Sequence, residues 1–94
     1  MGAANWKDLL QAWPAEIPRR GVVVTTWGEQ VPFEGFLSNE GFLIISRSTP
    51  DSLGARMLVV PFDSVAALKL TDVVKAKSFQ SLGFAGTVSS RQSV

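Results

Sequence analysis

The 94-residue chain contains no cysteine and no histidine. Without cysteine there is no disulfide framework, no thiol nucleophile and no thiolate metal ligand. A domain of this size that needs no staple is expected in a reducing compartment. Without histidine the commonest general base and the commonest metal ligand are missing. Acid–base or metal chemistry would have to rest on carboxylates. Asp8, Glu16, Glu29, Glu34, Glu40, Asp51, Asp63 and Asp72 are spread singly along the chain, mostly beside expected turns. The expectation is a non-enzymatic protein with no cofactor and no metal site.

Other absences narrow the class further. Nine basic against eight acidic side chains leave a net charge of +1, without the basic excess of a dedicated nucleic-acid binder. No apolar run approaches the ~18 residues that cross a bilayer. Met1 to Leu10 lacks the basic-then-apolar pattern of a signal peptide. The expected setting is therefore cytoplasmic, with no membrane partner. Phosphate-loop and dinucleotide fingerprints are also missing: Gly83-Phe84-Ala85-Gly86 has glycines, but no strand precedes it and no Lys-Ser/Thr follows.

The chain that remains is 46% hydrophobic and reads as one small core. Trp6, Leu9, Leu10 and Trp13 share one face of a short helix, with Asn5 placed to cap it and Pro14 and Pro18 to stop it. From Gly21 the period changes. Val22 to Trp27 is a β-branched run ending at a Gly28-Glu29 turn. Val31 to Leu37 alternates, placing Val31, Phe33, Gly35 and Leu37 on one face and Pro32, Glu34 and Phe36 on the other. Gly35 marks a point where this strand can bend. After the turn Ser38 to Gly41, Phe42 to Ser46 resumes a strand, with Phe42 and Ile44 opposite Leu43 and Ile45. Arg56 to Phe62 and Val65 to Thr71 give a fourth and a fifth, divided by a corner at Asp63-Ser64, and Pro61 marks the end of the fourth. Thr71 or Asp72 can cap a second short helix over Val73 to Leu82. Gly83 then stands at the left-handed position beyond its end, and Phe84 is placed to fold back. Residues 1–85 read as a single domain, and the Ser-rich stretch 86–94 as a disordered tail.

The fold class that follows is mainly β: a five-stranded small SH3/Sm-like barrel with short N-terminal and C-terminal helices. The stretch Val22-Val23-Val24-Thr25-Thr26-Trp27-Gly28-Glu29-Gln30-Val31-Pro32-Phe33-Glu34-Gly35-Phe36-Leu37, continued through Ser38-Asn39-Glu40-Gly41 to Phe42-Leu43-Ile44-Ile45, resembles the first motif of the Sm-like superfamily, which includes bacterial RNA chaperones. Arg56 to Leu70 is similar to the second, with Pro61-Phe62-Asp63-Ser64 at its corner. Hydrophobic pattern and glycine placement carry the resemblance, which spans about half the chain, and other SH3-like barrels share them. The resemblance implies a homo-oligomer, in the family's manner a ring, in which the fourth strand of one subunit pairs with the fifth of the next. The interface would then comprise Leu58, Val59, Val60, Ala66, Leu68 and Leu70, and Val60→Lys would break assembly before it breaks the fold. The resemblance also implies single-stranded RNA as a partner, with Asn39, Arg47 and Arg56 as contacts. Here the sequence departs from the family. Asp63-Ser64 stands where the family carries a basic pair, and an acid there repels phosphate.

Several residues have a plainer reading. Trp6, Trp13 and Trp27 read as anchors of the core or the helix in preference to a base-stacking platform. Arg19-Arg20 reads as a solvated connector, and Arg47, Arg56 and Lys69 as partners of Glu34 or Glu40 across strands. One barrel has one interior, so the two-faced apolar fourth strand must leave side chains facing a helix, a partner or water.

Overall fold

The computed structural model describes residues 2–88, with side chains described from residue 5 onward. Helix α1 spans Gly2–Gln11. It begins before Asn5, which is an interior helix residue and not the cap. Ala3 and Ala4, strong helix formers, carry the helix back toward the terminus. Trp13 lies just past its end and is buried. Its indole nitrogen donates to the Ile17 carbonyl (2.9 Å), which folds the segment after the helix into a compact turn.

Five antiparallel strands follow: β1 (Gly21–Thr25), β2 (Gln30–Ser38), β3 (Phe42–Arg47), β4 (Met57–Pro61) and β5 (Val65–Lys69). They form one open sheet in the order β4-β3-β2-β1-β5. Strands β4 and β5 are thus at opposite ends of the sheet, yet only the 3-10 turn Phe62–Ser64 separates them in sequence. A flat sheet would hold its edge strands ~19 Å apart, at ~4.8 Å per neighbour. Four residue steps reach ~14 Å at full extension, so the sheet must curl. The turn is held from both sides: the Phe62 amide donates to the Gly41 carbonyl (3.3 Å), and the Thr26 amide to the Ser64 carbonyl (2.8 Å).

The curl depends on β2, which serves two partners. Its first half pairs with β1 (Gly21↔Phe33, Val23↔Val31). Its second half pairs with β3 (Phe36↔Ile45, Ser38↔Leu43), with a register shift between Phe33 and Phe36. The shift inserts a residue and reverses the alternation. Phe36, expected opposite Phe33, is therefore buried beside it, with ring centroids 6.0 Å apart and edge-to-face. Leu37, expected on the face of Val31 and Phe33, is 64% exposed. The shift brackets Glu34 and Gly35, and a Cβ at Gly35 would meet nothing within 4 Å.

Leu10, Trp13 and Ile17 close one side of a core completed by Val23, Val31, Phe33, Phe36, Leu43, Ile45, Val60, Phe62 and Val65. The second expected helix differs in type and start: it is a 3-10 helix over Ala76–Leu82 with no side-chain cap. Its apolar residues Phe79 and Leu82 are three apart, the spacing that lines up on one face at three residues per turn. Gly83 takes the left-handed conformation (φ 92°), and Phe84 folds back edge-to-face on Phe79 at 5.8 Å. From residue 89 on, the expected Ser-rich tail lies outside the described residues.

Two glycines separate steric need from mere tolerance. A methyl group on Gly21 would overlap the Lys69 carbonyl of the paired strand. Gly21→Ala is expected to push β1 from β5 and to cost about 1–3 kcal/mol, as overpacking does. Gly35→Ala has open space and is expected to gain about 0.4–1 kcal/mol through the unfolded chain. Urea unfolding of the two variants checks both. Equal stabilities would refute this account of the β1–β5 contact.

Candidate functional site: the sheet edges and outer face

Strands β4 and β5 each carry one free edge among the described residues. Their central residues present backbone donors and acceptors with no partner strand, a template for further pairing. The family-implied interface residues divide here by direction. Val60 points into the core and is 2% exposed. Leu58, Leu68 and Leu70 pack partly buried against that core. Val59 and Ala66 are the exposed members of the six. The two faces of β4 are thus unlike: Leu58 and Val60 serve the protein's own core, while Met57 and Val59, each 58% exposed, face outward.

The outward row extends across three strands. Leu37 pairs with Ile44, and Ile44 pairs with Val59. Phe42 (49% exposed) flanks the row opposite Pro61, and Met57 flanks it opposite Ser46. The β1–β5 half of the outer face carries the half-buried Val22 and Val24, set between Pro32 and Gln30 on one side and Ala67 and Lys69 on the other. There Lys69 Nζ donates to the Gln30 side-chain oxygen (3.1 Å), with Pro32 close by on β2. Large apolar side chains are thus gathered on the half of the sheet that ends at the β4 edge.

The RNA trio is not brought to one place. Asn39 lies in the β2–β3 turn, where its Oδ1 accepts from the Gly41 and Phe42 amides (2.9 and 2.8 Å). Arg47 and Arg56 sit at the far end of β3 and the start of β4, next to each other through the Arg47 amide and the Arg56 carbonyl (2.9 Å). Arg47 Nε donates to the Thr49 carbonyl. The length of β3, roughly 17 Å at ~3.3 Å per residue, separates Asn39 from this pair. Glu40, next to Asn39, is paired with Lys7 of α1. The expected pairing of Arg47, Arg56 and Lys69 with Glu34 or Glu40 does not occur among the described residues.

Three residues behave otherwise than the sequence implied. Trp27 is no core anchor: it is 59% exposed in the β1–β2 turn, and its indole donates to the Glu29 carboxylate (3.1 Å). The turn closes early because the Thr25 amide donates to the Glu29 carbonyl and Gly28 takes a positive φ, leaving Trp27 beyond the strand. Arg19 is no free connector either. Its guanidinium lies 4.5 Å over the Phe36 ring, and Nη1 donates to the Phe36 carbonyl (3.4 Å), beyond the stretch of β2 that pairs with β1. Arg20 makes a forked pair with Asp72 (2.8 and 3.1 Å), tying the start of β1 to the segment after β5. Asp72, one of the two residues expected as a possible helix cap, instead holds this bend.

Two grooves flank Phe84. One, of about 580 Å³, runs between α1 and the 3-10 helix and includes Trp6, Asp8 and Leu82. The other, of about 870 Å³, includes Lys75, Lys77 and Val88. Neither is lined by a pair of carboxylates. Among the described residues no three metal-ligating side chains converge. No helix there is long and apolar enough to cross a membrane.

Two carboxyls are shifted by their hydrogen bonds. The Arg20 guanidinium holds Asp72 below the ordinary carboxylate value, and the Ala55 and Leu53 amides do the same for Asp51 in the β3–β4 loop. A depressed folded-state pKa gives stability that is present above the unfolded value of ~3.9 and lost as pH falls through the folded one. Carboxyl titration followed by NMR is expected to show both groups protonating below that value. In Arg20→Ala, Asp72 should return to the ordinary range while Asp51 stays low. An unmoved Asp72 would show that the forked pair does not hold the bend in solution.

No family model matches this chain, and no match is found among curated proteins or solved structures.

Proposed function

We propose that this protein is a non-enzymatic interaction module, a small SH3/Sm-like barrel that associates with copies of itself through its two free sheet edges. The observation that carries the reading is the pairing of β4's free edge with an outward apolar row on that strand, Met57 and Val59, backed by Ile44 and Leu37. The β4-β3-β2-β1-β5 order, the bent β2 and the short link between β4 and β5 support barrel closure. Two free edges on one chain favour a head-to-tail contact, in which β4 of one copy receives β5 of the next. Such a contact makes a ring when its rotation closes. The divergent corner Asp63-Ser64 and the separation of Asn39 from Arg47 and Arg56 weigh against nucleic acid as the partner.

Sedimentation velocity across the micromolar range tests the reading. The wild-type chain is expected to sediment as an oligomer, and a clean monomer at high micromolar concentration would end the proposal. The structure also selects the variant. Val59→Lys places its charge on the exposed face and is expected to yield a folded monomer. Val60→Lys buries an unpaired charge in the core and is expected to unfold the protein.

A further inference from the structure

The two grooves that flank Phe84 differ in charge. Among the described residues, the groove beside α1 includes Asp8 and no cation. The larger one, of about 870 Å³, includes Lys75 and Lys77 and no carboxylate. Val73, Phe79, Phe84 and Val88 supply apolar surface to it. We infer that this larger groove binds a free single-chain amphiphile with an anionic head, of the fatty-acid class. The chain lies along Phe79 and Phe84, and the head meets Lys75 and Lys77.

The local backbone builds the groove. Gly83 and Gly86 both take a positive φ (92° and 114°), a conformation that glycine adopts far more readily than other residues. At the first, the chain turns back and Phe84 meets Phe79 edge-to-face at 5.8 Å. The second redirects it two residues before Val88, so that 84–88 and the start of the 3-10 helix line one groove together. Phe79 also packs on the core and Asp72 is forked to Arg20, which ties the groove to the body of the protein.

Charge, surface and size select the occupant. Neither lysine is paired with a carboxylate among the described residues, and Asp72, the acid nearest in sequence, is engaged by Arg20. Two cations two residues apart, without a counter-charge, attract an anionic head. Val73, Phe84 and Val88 are 78%, 58% and 51% exposed, apolar surface that a hydrocarbon chain takes out of water. The volume falls within the ~300–1,000 Å³ of small-ligand sites. A concave groove takes a single free chain between its walls, whereas a bilayer is met by projecting apolar side chains. The inference goes beyond self-association and holds for monomer and oligomer alike.

Titration of the isotope-labelled full chain with decanoate, below its micelle-forming concentration, tests this by NMR. Amide shifts are expected to cluster in residues 73–88. Decanol, with the same chain and no charge, is expected to bind about fivefold more weakly, the scale of two exposed ion pairs. Lys75→Gln/Lys77→Gln alters two exposed side chains, so circular dichroism should show the fold retained. That variant is expected to bind decanoate and decanol alike. No binding of decanoate, shifts centred outside residues 73–88, or a double variant that still prefers decanoate would each overturn the inference. Pelleting with phosphatidylglycerol vesicles in the absence of decanoate binding would overturn it in favour of a membrane surface. Failure here leaves edge association standing, and a wild-type monomer leaves this inference standing.

Discussion

The turn Phe62–Ser64 governs the rest of the architecture. It joins the two end strands of a five-stranded sheet with three residues, so the sheet has no flat alternative. Curling creates an interior, and the interior must be filled from strands that face one another. Val31 and Phe33 on β2, Leu43 and Ile45 on β3, Val60 on β4 and Val65 after the turn meet there. Phe62 is buried within the turn itself, so the link is also part of the core. Its amide is anchored to the β2–β3 turn, and the carbonyl of Ser64 to the end of β1. A longer connection would release the constraint, and the sheet's two ends would no longer be brought together.

The bend in β2 is the second half of this mechanism. One strand can serve β1 and β3 around a tight curve only by changing direction partway, and the register shift between Phe33 and Phe36 does so. The extra residue turns Phe36 inward, where it meets Phe33 at 6.0 Å and Trp13 at 5.5 Å, both edge-to-face. Arg19 covers the same ring and donates to its carbonyl. Past the bend β1 no longer runs beside β2, and the chain from Trp13 to Arg19 takes up that ground. A bulge that looks like an interruption of the ladder thus creates the seat for the segment linking α1 to the sheet.

How much of this is legible in the sequence follows from which residues obey a local period. The alternation of β3 and β4 is readable because those strands run uninterrupted: Leu43 and Ile45 are in, Phe42 is out, Val60 is in, Val59 is out. In β2 the same rule places Val31 and Phe33 correctly, then misplaces Phe36 and Leu37, because an inserted residue has no signature in a period-two pattern. The Arg20–Asp72 fork joins residues 52 apart and no spacing rule reaches it. The 3-10 helix was hidden by a pattern irregular at 3.6 residues per turn and regular at three. In the candidate site the apolar excess of the fourth strand is visible in its composition. Which half of that excess faces outward is settled only when the interior claims Leu58 and Val60.

The edges themselves carry a limit on what they can pair with. Sheets protect open edges with proline, charge and short strands. Pro61 stands at the last position of β4, and Lys69 at the last of β5. Both devices are terminal. They leave Leu58–Val60 and Ala66–Leu68 unprotected at the centres of strands only five residues long. An added strand therefore meets a short ladder, ended on β4 by a residue without an amide donor and on β5 by a charge. Backbone bonds over so few residues confer little selectivity, since every extended chain offers the same donors and acceptors. Discrimination must come from side chains beside the edge, and on β4 those are Met57 and Val59 with the row behind them. In the proposed contact the free edge fixes geometry and the apolar outer face selects the partner.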